Sequence, residues 1–208
     1  MSSARRLHMD PRSATTQAAL IECAEDLFAE FGVEGVSLRQ IAAAINSRNT
    51  NVVAYHFGSK EGLIEAIFRH HRPYLEQRRT ELRAILEAGG TALGHLELLE
   101  IIFRPFLELV NRKGRHTYVA FLWSLHGTGD FKPRRAVDPQ FPITSEIVRR
   151  LFAQLPPDLR TEADDRLLIA TGMVASCLLR SDRLNETPAE AEQRFAIVLR
   201  MIAAAFLA

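Results

Sequence analysis

Apolar residues recur at three- and four-residue steps along almost the whole chain, the period of helices that bury one face. Leu20, Ala24, Leu27, Phe28 and Phe31 form the first such stripe, with Glu22, Glu25, Asp26 and Glu30 on the wet side. The helix starts between Ser13 and Thr16, several of which can cap it, and Gly32 stops it. A short second helix opens at Ser37, where Ser37-Leu38-Arg39-Gln40 fits a capping box and Leu38, Ile41 and Ala42 face inward. Ala44-Ile45-Asn46-Ser47 breaks it, with Asn46 as the left-handed residue, since Asn tolerates that geometry best after Gly. A third helix follows over about 49–57. Gly58-Ser59 closes it, and Ser59 caps a fourth with Glu61 in its first turn.

The fourth helix carries Leu63, Ile64, Ile67, Phe68, Leu75, Leu82, Ile85 and Leu86 and ends at Gly89-Gly90. Pro73 interrupts its hydrogen-bond ladder near Arg69. Further helices are expected at about 91–112, 115–127, 142–154, 161–182 and 189–207, and one long irregular segment at about 127–142. No alternating β-branched run appears, so the fold class is all-α. The expected domains are 1–58, with an arm over about 1–12 that holds Arg5, Arg6 and Arg12, and 59–208.

Composition narrows the chemistry mainly by exclusion. With 26 Lys+Arg against 25 Asp+Glu the net charge is +1, so any affinity for nucleic acid must come from local placement of charge. Cys23 and Cys177 are the two cysteines, far apart and among apolar residues, and read as small buried hydrophobes rather than ligands or nucleophiles. His70-His71 point about 100° apart on a helix with no third ligand at the next turn, so no metal site is expected. No phosphate loop, nucleophile elbow, membrane-length apolar run or signal-like start appears. The expectation is a cytoplasmic protein without cofactor, not an enzyme and without membrane contact.

Two helices joined by a tight turn and braced by a first form a helix-turn-helix, whose second member enters the major groove. From Asn46 to Lys60 there is no acidic residue, and Asn46, Ser47, Arg48, Asn49, Thr50, Asn51, Tyr55, His56, Ser59 and Lys60 supply polar groups. Asn pairs with adenine and Arg with guanine through two hydrogen bonds; Tyr, His, Ser and Lys suit phosphate oxygens. The stretches Val36-Ser37-Leu38-Arg39-Gln40-Ile41-Ala42 and Val53-Ala54-Tyr55-His56-Phe57-Gly58-Ser59-Lys60-Glu61-Gly62-Leu63 resemble the TetR/AcrR family of transcriptional regulators over about residues 15–70.

The resemblance implies that Arg48, Asn49, Thr50, Asn51 and Ala54 face bases, and that Ser37, Arg39, Tyr55, His56 and Lys60 hold the DNA backbone. Two positions depart from the family pattern. Asn46 stands where glycine usually makes the turn. Ala54 stands where a polar or aromatic residue is common, which leaves it a thymine-methyl contact. The resemblance also implies an inducer-binding domain beyond residue 58.

In that domain the segment from Leu96 to Val110 is apolar almost all round, bent by Pro105, and followed by Tyr118, Phe121, Leu122, Trp123 and His126. A cavity for a small, largely apolar effector is expected there, with Phe103, Arg104, Phe106, His116, Leu122, Trp123, His126, Met173 and Cys177 as candidate contacts. The last two helices carry surplus apolar residues. Leu167, Leu168, Val174, Ala175 and Leu178, with Phe195, Val198, Leu199 and Ile202, are the candidate homodimer face. The functional expectation is a ligand-responsive, sequence-specific DNA-binding regulator, a repressor released from a palindromic double-stranded operator. The other class is an all-helical carrier or enzyme whose N-terminal helices are only structural.

Overall fold

A computed structural model describes residues 11–47, 49–90, 92–126 and 141–208. The 1–10 part of the arm, Arg48 and the irregular segment over 127–140 lie outside the described residues, as do the side chains of Arg12 and His126. Every regular element among the described residues is helical. The chain divides into two compact units, Met1–His70 and His71–Ala208, and the division falls inside one helix.

The first unit holds α1 (Pro11–Gly35), α2 (Leu38–Ala44), α3 (Val52–Phe57) and the start of α4 (Lys60–Ala88). α1 begins at a proline, whose fixed φ and missing N–H suit a first helical position. Its regular geometry breaks at Gly32, at φ 72° and ψ 158°. Leu20, Ala24 and Phe28 bury fully as the stripe requires. Two positions differ from the pattern. Phe31, one residue before the break, is exposed, and Glu25 is buried because it lies one turn beyond buried Ile21, so the covered arc is wider than the stripe. Ser37 makes both halves of the capping box with Gln40, and Asn46 takes the left-handed conformation at φ 55°.

The second unit holds the rest of α4 with α5 (His95–Glu108), α6 (Thr117–His126), α7 (Pro142–Ala153), a 3-10 turn at Arg160–Glu162, α8 (Ala163–Leu184) and α9 (Pro188–Phe206). α5 lies at the middle of its core: Leu98, Leu99, Ile101, Ile102 and Phe103 are all buried, as expected of a helix without a polar face. It packs on α7 and α9, while α8 pairs with α9 and with α6. α5 is shorter than its apolar run because Asn111 folds the following chain into a turn. Its carboxamide oxygen accepts the N–H groups of Lys113 and Arg115 at 2.9 and 3.0 Å. Asn185, left-handed at φ 49°, ends α8, and a Thr187/Glu190 capping box with Pro188 opens α9.

Candidate nucleic-acid interface and effector domain

The turn between α2 and α3 is built by its own side chains. The Ser47 hydroxyl donates to the Asn49 carbonyl at 3.1 Å and accepts the Asn49 N–H at 3.2 Å. The Asn49 side-chain oxygen in turn accepts the Asn51 N–H at 2.9 Å. These bonds compete with helical ones, so α3 starts at Val52 rather than near Asn49. Val52 and Val53 anchor α3 from below. Asn49, Thr50, Asn51, Ala54 and Tyr55 are left on the outside, and Tyr55 is 81% exposed.

The groups proposed for the DNA backbone surround this surface. Ser37 and Arg39 are exposed, although the Ser37 hydroxyl already serves the α2 cap. His56 is half-buried, with Gln17 Nε2 3.5 Å from its Nδ1, and its ring stands edge-on to Tyr55 at 5.0 Å. Lys60 lies with its ammonium 6.0 Å from the centre of the Phe28 ring. At the α3–α4 corner, Gly58 sits at φ 77°. Gly62 has a separate reason to be glycine: a Cβ there would stand 2.0 Å from the Phe57 carbonyl oxygen. The Ser59 hydroxyl accepts the Gly62 N–H at 3.1 Å and, through a hydrogen bond, holds the Glu61 carboxyl below its usual range.

The effector candidates separate into distinct places. Phe103 belongs to the core, and Phe106 and Leu122 are half-buried. Arg104 ties α5 to α9: it pairs with Glu100, holds Glu192 through two hydrogen bonds of 2.7 and 2.8 Å, and covers the Phe195 ring. His116 ties the α5–α6 connection to α8. Its N–H donates to Asp182 Oδ2 at 2.8 Å, its Nδ1 lies 2.7 Å from Asp182 Oδ1, and its Nε2 lies 3.1 Å from the Leu107 carbonyl. Trp123, Met173 and Cys177 do come together, with Leu168, Ile169 and Val198, along an open groove of about 830 Å³ on α6, α8 and α9. Trp123 lies directly on Gly172, where a Cβ would meet its ring at 2.7 Å. Burial pushes the Cys177 thiol up, which keeps it protonated.

The proposed dimer stripe needs correcting. Leu167, Val174, Ala175, Leu178, Phe195, Leu199 and Ile202 are buried in the chain's own core, and only Leu168 and Val198 are half-buried. The apolar residues beside that stripe are the open ones: Ile169 is 64% and Met201 55% exposed, with Ile197 close behind. Periodicity gives two apolar arcs per helix without saying which one the chain covers itself, and the more continuous arc goes inside.

One buried polar cluster has no counterpart among the sequence candidates. Arg79 is 3% exposed and donates to Thr144 Oγ1 at 2.8 Å and to the Ile102 carbonyl at 3.0 Å. Glu76 accepts the N–H groups of Ile143 and Thr144 at 2.7 and 3.1 Å and the Thr144 hydroxyl, so it caps α7 from another helix. The signal was in the spacing: Arg79 stands four residues after buried Leu75 and three before buried Leu82, a core position.

Residues 20–67 match the family model described as bacterial regulatory proteins, tetR family. The HTH-type transcriptional repressor Rv3405c of Mycobacterium tuberculosis (strain ATCC 25618 / H37Rv) is 43% identical over 53 residues, 26% of this chain and 28% of that protein. The HTH-type transcriptional regulator Mb3439c of Mycobacterium bovis (strain ATCC BAA-935 / AF2122/97) matches to the same extent, so the chain spans little more than a quarter of these curated relatives. Among solved structures, the ketosteroid transcriptional regulator KstR2 of Mycobacterium tuberculosis is 21% identical, with a TM-score of 0.49 over 88% of this chain and 93% of that one. The match to the tetR family of bacterial regulatory proteins thus lies on α1, α2, α3 and the start of α4.

Proposed function

We propose that the chain is a sequence-specific DNA-binding transcriptional regulator that acts as a homodimeric repressor and leaves a palindromic operator when a small molecule binds. The observation that carries this reading is the outward, acid-free surface at the α2–α3 turn. Asn49, Thr50, Asn51, Ala54 and Tyr55 stand exposed over buried Val52 and Val53. On that surface Asn49 and Asn51, with Arg48, are assigned to base edges, and Ala54 to a thymine methyl. Ser37, Arg39, Tyr55, His56 and Lys60 are assigned to phosphates. Asn51 has no side-chain bond as cap of α3, so its whole carboxamide is available for adenine.

Dimerisation is assigned to the open apolar groups Ile169, Ile197 and Met201 on α8 and α9, with Trp123 on the groove beside them. A two-fold pair supplies the two reading helices that an inverted repeat requires. The effector is assigned to the His71–Ala208 unit. Because α4 contributes residues to both units, a ligand that changes its seating in the second acts on the first along one helix. A coupling of about 1–3 kcal/mol weakens operator binding roughly 5–150-fold.

Selection from random-sequence duplex DNA tests the reading. An enriched inverted repeat is expected, bound by a dimer; enrichment of no sequence, with weak and purely salt-dependent binding, sinks it.

A further inference from the structure

Among the described residues, Arg79 Nε is the buried side-chain nitrogen that finds no acceptor in the protein. Native chains rarely leave such a donor unmatched, because a buried N–H without an acceptor has lost its bond to water and gained none. The rest of the guanidinium is committed to neutral oxygens, the Thr144 hydroxyl and the Ile102 carbonyl. Glu76, the carboxylate that acts on it, reaches it through Thr144 and is itself bound to the N-terminus of α7. Burial pulls the guanidinium down to about 10, and Glu76 and Tyr118 offset part of that, so it is a cation at neutral pH in a dry setting.

One face of it meets an aromatic ring. The guanidinium carbon lies 5.5 Å from the centre of the Phe106 ring. Phe106 is followed by Tyr118 at 6.3 Å, and Tyr118 meets His71 at 4.1 Å and Phe121 at 6.1 Å. A buried cation bonded to neutral oxygens, one donor short of an acceptor and faced by an aromatic ring, matches an acid group carried on an apolar body. Nε belongs to the fork with which a guanidinium receives a carboxylate, and a charged acceptor makes a bond about twice as strong as a neutral one.

We infer that Arg79 is the anchor of the effector site and that the effector class is an apolar carboxylate, its oxygen on Arg79 Nε and its body against Phe106 and Tyr118. This rests on the effector reading above and narrows it from a largely apolar molecule to an acid.

The test uses the full chain, 15N-labelled, titrated with benzoate and decanoate and with their neutral counterparts benzyl alcohol and decanol. The carboxylates are expected to move one solvent-protected arginine Nε–H signal, the signal missing from the spectra of Arg79→Gln and Arg79→Lys. Binding of the carboxylates to Arg79→Gln is expected to be roughly 10- to 100-fold weaker, with Arg79→Lys in between, because it keeps the charge and loses the fork. The inference is overturned if Arg79→Gln binds the carboxylates as tightly as the wild type. It is also overturned if the alcohols move that signal equally, or if no carboxylate moves it, because a water molecule then suffices as the acceptor. Should Arg79→Gln fail to fold, the wild-type signal and Arg79→Lys decide. Carboxylate binding by a chain that selects no DNA sequence sinks the regulator reading and leaves this one standing.

Discussion

At the α2–α3 turn, Ser47, Asn49 and Asn51 are held by hydrogen bonds to groups two residues away. Around Arg79, the bonds to Ile102 and Thr144 cross 23 and 65 residues, and those from α7 to Glu76 cross 67 and 68. The first arrangement is closed by near neighbours in the chain and leaves its outer faces to water or a partner. The second exists only when α4, α5 and α7 are packed, and it buries Arg79 and Thr144. Polar residues used for recognition at a surface can therefore rest on local turn chemistry, whereas a polar group in the interior depends on the whole unit.

The sharpest way to break this contrast is Glu76→Ala. It removes both the cap of α7 and the carboxylate that balances Arg79, and a loss of about 3 kcal/mol or more is expected in the urea unfolding of the chain. Paired with Arg79→Met in a double-mutant cycle, the two losses should not add; simple additivity would mean that the cluster is not a unit.

Next in size is Asn51→Ala, which touches no cap bond. It should cost about 1–3 kcal/mol in binding to the selected operator and relax the preference at one base pair, with nonspecific binding and unfolding unchanged. Unaltered operator discrimination would remove Asn51 from base reading.

Ser37→Ala should lower stability by about 1 kcal/mol through loss of the α2 capping box, measured by thermal unfolding. A loss several times larger would show that the local motif is coupled to the interior after all.

The smallest effect concerns acid. Glu186 accepts from the Arg194 guanidinium, with Nε 3.0 Å from each of its carboxylate oxygens, and from the Ser181 hydroxyl at 2.7 Å. These bonds hold its carboxyl below the usual range. A folded-state pKa below the unfolded one means a contribution present at neutral pH and lost as pH falls through the folded value. Glu186→Gln should flatten the acid limb of the stability profile slightly and leave it unchanged above neutrality.

How far the sequence could be read follows the same division. The Ser37 box, the left-handed Asn46 and a break at Gly32, where helical turns resume to Gly35, were legible because each is decided within three or four residues. The start of α3 was misjudged by a few residues, because the Ser47 and Asn49 side-chain bonds outcompete the first helical turn. The motif residues Gly58 and Gly62 were readable by resemblance, while the clash that requires glycine at 62 is visible only against the Phe57 carbonyl. Arg104 and His116, expected as ligand anchors, are also engaged with Glu192 and Asp182, partners 88 and 66 residues away, which no local pattern announces.

By itself the sequence determined the all-helical class, the order of the helices and the chemistry of the turn that faces outward, since period, caps and turn residues act over a few positions. Tertiary structure alone decided which of two apolar arcs on α8 and α9 is core, and that an arginine lies inside against an aromatic wall. Both depend on what another helix brings to the same place, and a helix carries no local mark of its neighbour.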